Sequence, residues 1–423
     1  LDANWYPTLA MGYLKSYMEK KLGDRVVIRR AVSLEDCACC DILAISSTSP
    51  DYGIAQQIAS AAKQDNPKLI TVLGGHHVSY LPDSMSEQFD IGVLGEGEET
   101  FSELVPALMT GSDIGQMPGL AFHHEGKVVT TPPRAHIENI DSIPMPYRDY
   151  YERVYMMTSR GCPYKCSFCT SRAFWGRTRF FSAPYVVAEI EHLIDNMGHM
   201  PSIEIFDDLF VADRKRLEEI IWLLEKKGLM GKASYGFSVR ANLVDDSLCE
   251  LIKRFAYAGT CFGVESGSDR ILGLMNKGTT VATNQKALDT FHKHGILTNC
   301  SFIVGWPTET EEEVRSTYDF LRRNVKEGKH PKRAIINILV PMPGTPVWNY
   351  AVKTGVISER NFDWNRLGVF ASYHATAVND SFDKWVEIRR ENNSVYLNED
   401  TLPQEKLYKI MAEYEYEGDC SVV

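Results

Sequence analysis

Residues 154–169 read VYMMTSRGCPYKCSFC. Val154 to Thr158 is a short apolar strand that runs into a loop carrying Cys162, Cys166 and Cys169. Intervals of three and two residues let three thiolates converge from one loop, whose turn Gly161 and Pro163 set. Three soft ligands suit iron and sulfur. Zinc would ask for a fourth Cys or His close by, and none follows within a helical turn or two. A [4Fe-4S] cluster on three cysteines leaves one iron open to a substrate or cofactor. The competing reading is three incidental cysteines in a reduced protein.

Downstream, strand-like runs recur at Ile203 to Phe206, Ala233 to Phe237, Cys261 to Val264, Asn299 to Val304 and Ile335 to Val340. Periodic helical stretches separate them: Val186 to Asn196, Arg214 to Lys226, Ser247 to Phe255, Asn284 to His294 and Glu311 to Arg323. With Val154 to Thr158 these make six βα-type strands, a partial (β/α)6 barrel over residues 151–350 with its chemistry at the C-terminal strand ends. The motifs fall at those ends: Asp207-Asp208, Ser238-Val239-Arg240, Gly263 to Ser268, Gly305 to Glu309 and Pro341 to Pro346. Carboxylates, a guanidinium and hydroxyls therefore surround one mouth.

Upstream, the spacing predicts a helix from Trp5 to Leu22, then apolar runs at Val26 to Ile28, Ile42 to Ile45, Leu69 to Leu73 and Ile91 to Leu94, with helices at Ile54 to Lys63 and Glu99 to Met109. Alternation of this kind describes a doubly wound, Rossmann-like parallel sheet over residues 1–115, whose ligand sits beyond the C-terminal strand ends. Three of those ends carry unusual loops: Ser46-Ser47-Thr48-Ser49-Pro50, Gly74-Gly75-His76-His77 and Gly95-Glu96-Gly97-Glu98-Glu99. Glycine lets backbone approach a flat or phosphorylated ligand, and hydroxyls add neutral hydrogen bonds; each loop alone is also ordinary turn chemistry. Gly119 to Thr131 reads as a hairpin turning at Glu125-Gly126, and prolines at 132–133, 144 and 146 give an ordered linker over residues 116–150. Residues 351–423 read as a mostly helical region, with aromatic runs at Asn361 to Asn365 and Phe370 to Tyr373 and helical stretches at Lys384 to Glu391 and Leu402 to Tyr416, placed to cap a barrel and line a substrate pocket, or to cover an edge.

The chain has 423 residues, a net charge of -11 and ten cysteines. That length predicts two or three domains, and the charge repels phosphate backbones, so nucleic acid is not an expected partner. No apolar run reaches the length of a membrane span and no signal pattern opens the chain, which reads as cytoplasmic. Thiols in such a compartment point to metal or redox chemistry rather than disulfides. Cys37, Cys39 and Cys40 crowd too closely for one tetrahedral site unaided and read as incidental; Cys249, Cys261 and Cys300 lie on apolar faces and are expected to be buried. The sequence begins at Leu1, and its opening helix has no strand before it, which fits numbering that starts inside a longer chain.

The cysteine loop, including Phe168 just before its last cysteine, resembles the signature of the radical S-adenosylmethionine superfamily. The resemblance implies an open iron that chelates the methionine amino and carboxylate groups, and electron transfer that splits the sulfonium into methionine and a 5′-deoxyadenosyl radical. It also implies uses for the strand ends. Asp207 and Asp208 would meet the methionine amino group, Ser238, Arg240 and Glu265 the carboxylate and ribose, and Val304 to Trp306 the adenine. Other uses of the same residues are open: helix-start acids for the aspartates, a barrel-mouth ion pair for Arg240 and Glu265, and core packing for Trp306. Arg179 recurs in family loops, and solvation is its default.

The hydroxyl-rich loop, the Gly-Gly-His and the Gly-Glu-Gly-Glu resemble the corrinoid-binding domain that precedes many such enzymes. The Asp-x-His-x-x-Gly element that places histidine on cobalt is absent, so the resemblance implies cobalamin without a histidine lower ligand, near Ser46 to Ser49, Gly74-Gly75 and Gly95 to Glu98. His76 and His77 offer imidazoles to cobalt; the alternative is that they flank the turn structurally or are solvated. Together the two resemblances imply a cobalamin-dependent radical enzyme, foremost a methyltransferase at an unactivated carbon of a small molecule or peptide, drawing electrons from a donor such as flavodoxin or ferredoxin. Three alternatives use the same residues: cyclisation, rearrangement or carbon–carbon coupling without methyl transfer; polar methyl transfer without a radical; and a corrinoid carrier or iron–sulfur electron-transfer module.

Overall fold

The computed structural model describes residues 9–148, 154–197, 200–255, 257–329, 333–359, 362–367, 395–415 and 421–422. They fall into two compact units, one of residues 1–150 with 358–365, the other of residues 151–357 with 366–423.

In the first unit α1 (Leu9–Leu22) precedes the sheet, and β1 (Ile42–Ser46), α2 (Tyr52–Asp65), β2 (Ile70–Gly74), α3 (His76–Tyr80), β3 (Ile91–Val93) and α4 (Gly97–Thr110) follow in alternation. The strands pair in parallel in the order β1-β2-β3. Val72, Ile91, Val93, Leu104 and Leu120 close the core between them. The hairpin forms where expected: β4 (Leu120–His124) and β5 (Lys127–Thr130) join at Glu125 and Gly126, both at positive φ, and β4 continues the sheet antiparallel to β3. The run Val26 to Ile28 is not a strand. It finds no strand partner among the described residues: Val26 and Ile28 pack against Met18, Leu22 and Val105, and Val27 is left 78% exposed.

The second unit opens with β6 (Val154–Met156), a short antiparallel pair β7 (Ser159–Arg160) and β8 (Arg179–Phe180) that frames the cysteine loop and α5 (Ser171–Trp175), and then α6 (Ala183–Asn196). It continues through β9 (Ser202–Ile205), α7 (Arg214–Lys226), β10 (Ser234–Val239), α8 (Asp246–Arg254), β11 (Tyr257–Glu265), α9 (Asp269–Leu274), α10 (Val281–Lys293), β12 (Thr298–Val304), α11 (Glu311–Lys326), β13 (Arg333–Ile338), α12 (Pro346–Lys353), α13 (Gln404–Glu415) and β14 (Ser421–Val422). All sheet pairings are parallel and run in chain order from β6 through β9 to β13, as successive βα units with short connections require. A seventh strand, β14, adds to the six expected by pairing with Arg333 and Ala334. Helix starts are written into the sequence. Ser182, Asp213, Asp245, Ser268, Thr280 and Thr345 each accept an N-cap hydrogen bond, and Thr310 with Glu313 forms a capping box.

Strand alternation gives the sheet one face of apolar side chains packed under the helices and another that is polar. Ile203, Ile205, Phe237, Val239, Phe262, Cys300 and Phe302 are buried, while Glu204, Ser238, Cys261, Asn299 and Ser301 alternate with them on the open face. Phe206, 49% exposed, shares that open face. Helix α13 matches the helical stretch read at Leu402 to Tyr416; the aromatic run Phe370 to Tyr373, the helical reading Lys384 to Glu391 and Cys420 lie outside the described residues.

Candidate active site

The three cysteines sit on a loop held from several sides. Gly161, at φ +91°, begins it, and a Cβ there would lie 2.8 Å from the Arg177 carbonyl oxygen, so only glycine fits. Each sulfur faces a donor: Cys162 accepts from the Tyr164 N–H, Cys169 from the Ser171 N–H, and Cys166 from Arg240 Nη1 at 3.6 Å. Burial pushes the Cys162 thiol up and that of Cys169 to about 11, so the bare loop carries protons there that a bound cation would displace. Among the described residues no three His, Cys, Asp or Glu side chains group around a single ion; a cubane engages its three cysteines through three different irons.

The two aspartates after β9 part company. Asp207 is buried and its carboxylate is fully used, accepting from the Thr158 N–H (2.5 Å) and Oγ1 (2.5 Å) and from the Ser159 N–H (3.0 Å) and Oγ (2.7 Å). It fastens the turn that feeds the cysteine loop. Arg216, unnoticed in the sequence, donates to the Thr158 carbonyl from beneath (2.6 Å). Asp208 lies beside the loop, accepting from Ser171 Oγ (2.7 Å) and the Gly161 N–H, its carboxyl raised by burial.

Arg240 and Glu265 do not form the ion pair considered above. Arg240 is 7% exposed, stacks its guanidinium 3.7 Å over the Tyr164 ring, and keeps Nε and Nη2 buried with no hydrogen-bond partner among the described residues. Glu265 instead pairs with Lys277, at 2.6 Å in a buried setting. It stands at φ +64°, a strained conformation for a glutamate, where a shift in the β11–β12 register turns it toward that lysine. Ser238 is exposed on the open face.

At the end of β12, Trp306 is buried edge-on to Phe168 at 6.3 Å, so it packs against the cysteine loop. The Val304 side chain is buried in the core, which leaves its backbone at the strand end. Below them Glu309 is fully buried, accepting from the Gly305 (2.6 Å) and Trp306 (3.1 Å) N–H groups, and burial raises its carboxyl to about 8. Arg179 is buried, 5.8 Å over the Trp175 ring, rather than solvated. Cys249 and Cys300 are buried as expected, and Cys261 is partly open.

In the first unit the strand-end side chains largely turn inward. Ser47 is buried and donates to the Thr48 carbonyl, Thr48 Oγ1 donates to Asp51, and Ser49 Oγ meets His77 Nδ1 at 3.0 Å. His77 is fully buried, stacks 3.8 Å from Tyr52 and reaches Ser84 through Nε2 (2.9 Å). It is a structural residue, its imidazole lowered to about 3 by burial. Glu96 accepts from the Ile137 N–H (2.9 Å), and Glu98 is buried, so both carboxylates turn into the unit. What the strand ends present is glycine backbone: a Cβ on Gly74 or Gly95 would meet nothing within 4 Å, whereas one on Gly75, at φ +95°, would strike Ser47. Ser79 Oγ, missed in the sequence, ties the loops by accepting from the Gly95 N–H and donating to the Gly75 carbonyl.

The sequence matches the Radical SAM superfamily over residues 156–321 and the B12 binding domain over residues 6–105. An uncharacterized methyltransferase of Pyrococcus horikoshii is 32% identical over 378 residues, 84% of this chain and 81% of the relative. This chain belongs to the cobalamin-binding radical S-adenosylmethionine enzymes. An anaerobic magnesium-protoporphyrin IX monomethyl ester cyclase of Cereibacter sphaeroides is 29% identical over 73% of this chain, which spans 52% of the cyclase. The fold is shared with the radical S-adenosylmethionine methyltransferase TsrM of Kitasatospora setae, solved with cobalamin and a [4Fe-4S] cluster, at a TM-score of 0.68 and 19% identity over 82% of this chain and 72% of that one.

For a radical S-adenosylmethionine enzyme the donor set is suitable. Three hydrogen-bonded sulfurs suit a cluster, and the orphaned Nε and Nη2 of Arg240 beside them suit a carboxylate. Open glycine backbone at the strand ends of the B12-binding unit suits a broad, flat ring. Lys277 and Tyr164 are functional candidates that motif reading missed, because their significance comes from neighbours distant in sequence.

Proposed function

We propose that this chain is a methyltransferase that modifies an unactivated carbon of a small-molecule or peptide substrate through a 5′-deoxyadenosyl radical and methylcobalamin. The observation that carries the reading is the buried edge of Arg240 beside Cys166, an anion-binding group whose Nε and Nη2 find no partner among the described residues. When bound, the cluster and S-adenosylmethionine supply the adenosyl radical, and cobalamin supplies the methyl group.

Cys162, Cys166 and Cys169 are assigned to the cluster. Arg240 takes the methionine carboxylate, Asp208 is aimed at the amino group, and Glu265 and Ser238 serve the ribose. Phe168 and Trp306 form a wall for the adenine, while the backbone at Val304 to Gly305 borders it. Asp207 positions the loop. On the cobalamin side, Gly74 and Gly95 admit the ring by lacking side chains, Gly75 and Gly97 allow the turns that carry them, and Ser46 and Thr48 border it. The electron comes from an external donor such as flavodoxin or ferredoxin, and the enzyme works in the cytoplasm; no described helix is long and apolar enough to cross a membrane.

Anaerobic reconstitution with iron, sulfide, cobalamin and S-adenosylmethionine, followed by product analysis, tests the reading. Methylation yields S-adenosylhomocysteine together with 5′-deoxyadenosine. The likeness to a cyclase favours a second reading, in which methionine and 5′-deoxyadenosine form in equal amounts with no S-adenosylhomocysteine. S-adenosylhomocysteine alone would indicate polar transfer, and failure to cleave S-adenosylmethionine would leave only a carrier or electron-transfer role.

A further inference from the structure

The turn after α9 touches both halves of the site in the second unit. Residues Leu274 to Lys277 leave a six-residue helix, and Asn276 stands at φ +50°, where asparagine is tolerated better than most residues. Three hydrogen bonds run between this turn and the cysteine loop: the Ser167 N–H donates to the Met275 carbonyl (2.9 Å), Ser167 Oγ donates to the Leu274 carbonyl (3.1 Å), and Asn276 Nδ2 donates to the Lys165 carbonyl (2.7 Å). The next residue, Lys277, carries its ammonium to Glu265 at 2.6 Å and lies 5.8 Å over the Phe168 ring. Met275 is wholly buried, which anchors the turn to the core.

We propose that Asn276 and Lys277 are positioning residues that set the cysteine loop and Glu265 in register with one another. The inference rests on the radical S-adenosylmethionine reading. It goes beyond that reading by giving work to a segment that holds neither a cysteine nor an assigned ligand contact. Lys165 and Ser167 lie between the cysteines, so their backbone groups set where Cys166 and Cys169 stand. Glu265, strained and buried, keeps its place through Lys277. One short turn therefore fixes the distance between the groups that would hold opposite ends of a single ligand, and a shift of the turn would move both together.

The two arms are tested separately. Asn276→Gly keeps the positive φ and removes only the donor. In the apo-protein, amide exchange across residues 162–169 should then rise about five- to tenfold, the scale of one lost hydrogen bond, while exchange in β10 and β12 stays unchanged. Unchanged exchange in the loop overturns this arm. Lys277→Met should weaken S-adenosylmethionine binding to the reconstituted protein by at least about tenfold and alter the change that S-adenosylmethionine makes in the paramagnetic spectrum of the reduced cluster, with Lys277→Arg recovering most of both. Wild-type binding and spectra in Lys277→Met, or no recovery in a folded Lys277→Arg, overturn that arm. If S-adenosylmethionine leaves the wild-type cluster spectrum untouched, the functional reading fails, and the exchange result still judges the brace.

Discussion

The strand ends of the two units are built on opposite plans. In the first unit the polar side chains of the loops are spent within the unit, as with Ser49 on His77 and Glu96 on the Ile137 N–H, and glycine backbone is left facing outward at Gly74 and Gly95. In the second, charged side chains gather at the strand ends, Glu265 paired with Lys277 and Arg240 with donors to spare among the described residues. A large neutral-edged ring is best met by a surface without side chains, since van der Waals contact then does the holding. A small zwitterion needs fixed charges at stated points. The same fold-level rule, ligands beyond the C-terminal strand ends, thus serves two unlike chemistries through the choice between bare backbone and ionised side chains.

The sharpest way to break this comparison is to remove the charge-bearing chemistry of the second unit. Replacing Cys162, Cys166 and Cys169 together with alanine should abolish iron binding; retained iron–sulfur absorbance would refute the ligand assignment. On the other side, Gly75→Ala puts a Cβ 2.6 Å from the Ser47 carbonyl oxygen at a positive φ. It should cost about 3 kcal/mol of stability by urea unfolding and reduce corrin absorbance after gel filtration. Full corrin retention in a folded variant would show that the Gly75 turn against Ser47 does not set the binding surface.

Acid and base should divide the units as well. His77, held neutral to about pH 3 by burial, takes up in the unfolded chain a proton near pH 6.5 that the folded unit refuses. Stability therefore falls as pH drops through that window, by about 2 kcal/mol between pH 7 and 5, and His77→Gln should flatten that slope. Glu309 behaves in the reverse sense. Burial keeps it protonated to about 8 against an ordinary 4.5, so the folded unit loses stability as pH rises through that range. Glu309→Gln, which preserves an acceptor for the Gly305 and Trp306 N–H groups, should gain about 1 kcal/mol at pH 7 and remove that contribution. Equal slopes in variant and parent would remove the contrast.

Much of the fold was legible because βα alternation and helix caps are local signals. The extra strand β14 was not, since two residues carry no period. In the site, side-chain parity held more information than motif matching used. Asp207 follows Ile203 and Ile205 onto the buried face, whereas Asp208 follows Glu204 and Phe206 toward the opening. Val304 likewise shares parity with Cys300 and Phe302, and Ser47 with Leu43 and Ile45. Lys277 could not be found this way: its meaning depends on Glu265, whose strained conformation is a product of the tertiary fold.

Residues 358–365 belong to the first unit although some two hundred residues of the second precede them. Trp364 stands edge-on to His77 at 4.6 Å and near Tyr52 at 6.3 Å, closing the aromatic stack beneath the hydroxyl-rich loop. The B12-binding unit is thus a composite of two separated stretches of chain. It cannot be released whole by a single proteolytic cut near residue 150, because the amino-terminal fragment would leave with one side of the stack uncovered. During synthesis the same arrangement makes this unit's last packing step wait until most of the other unit has been made.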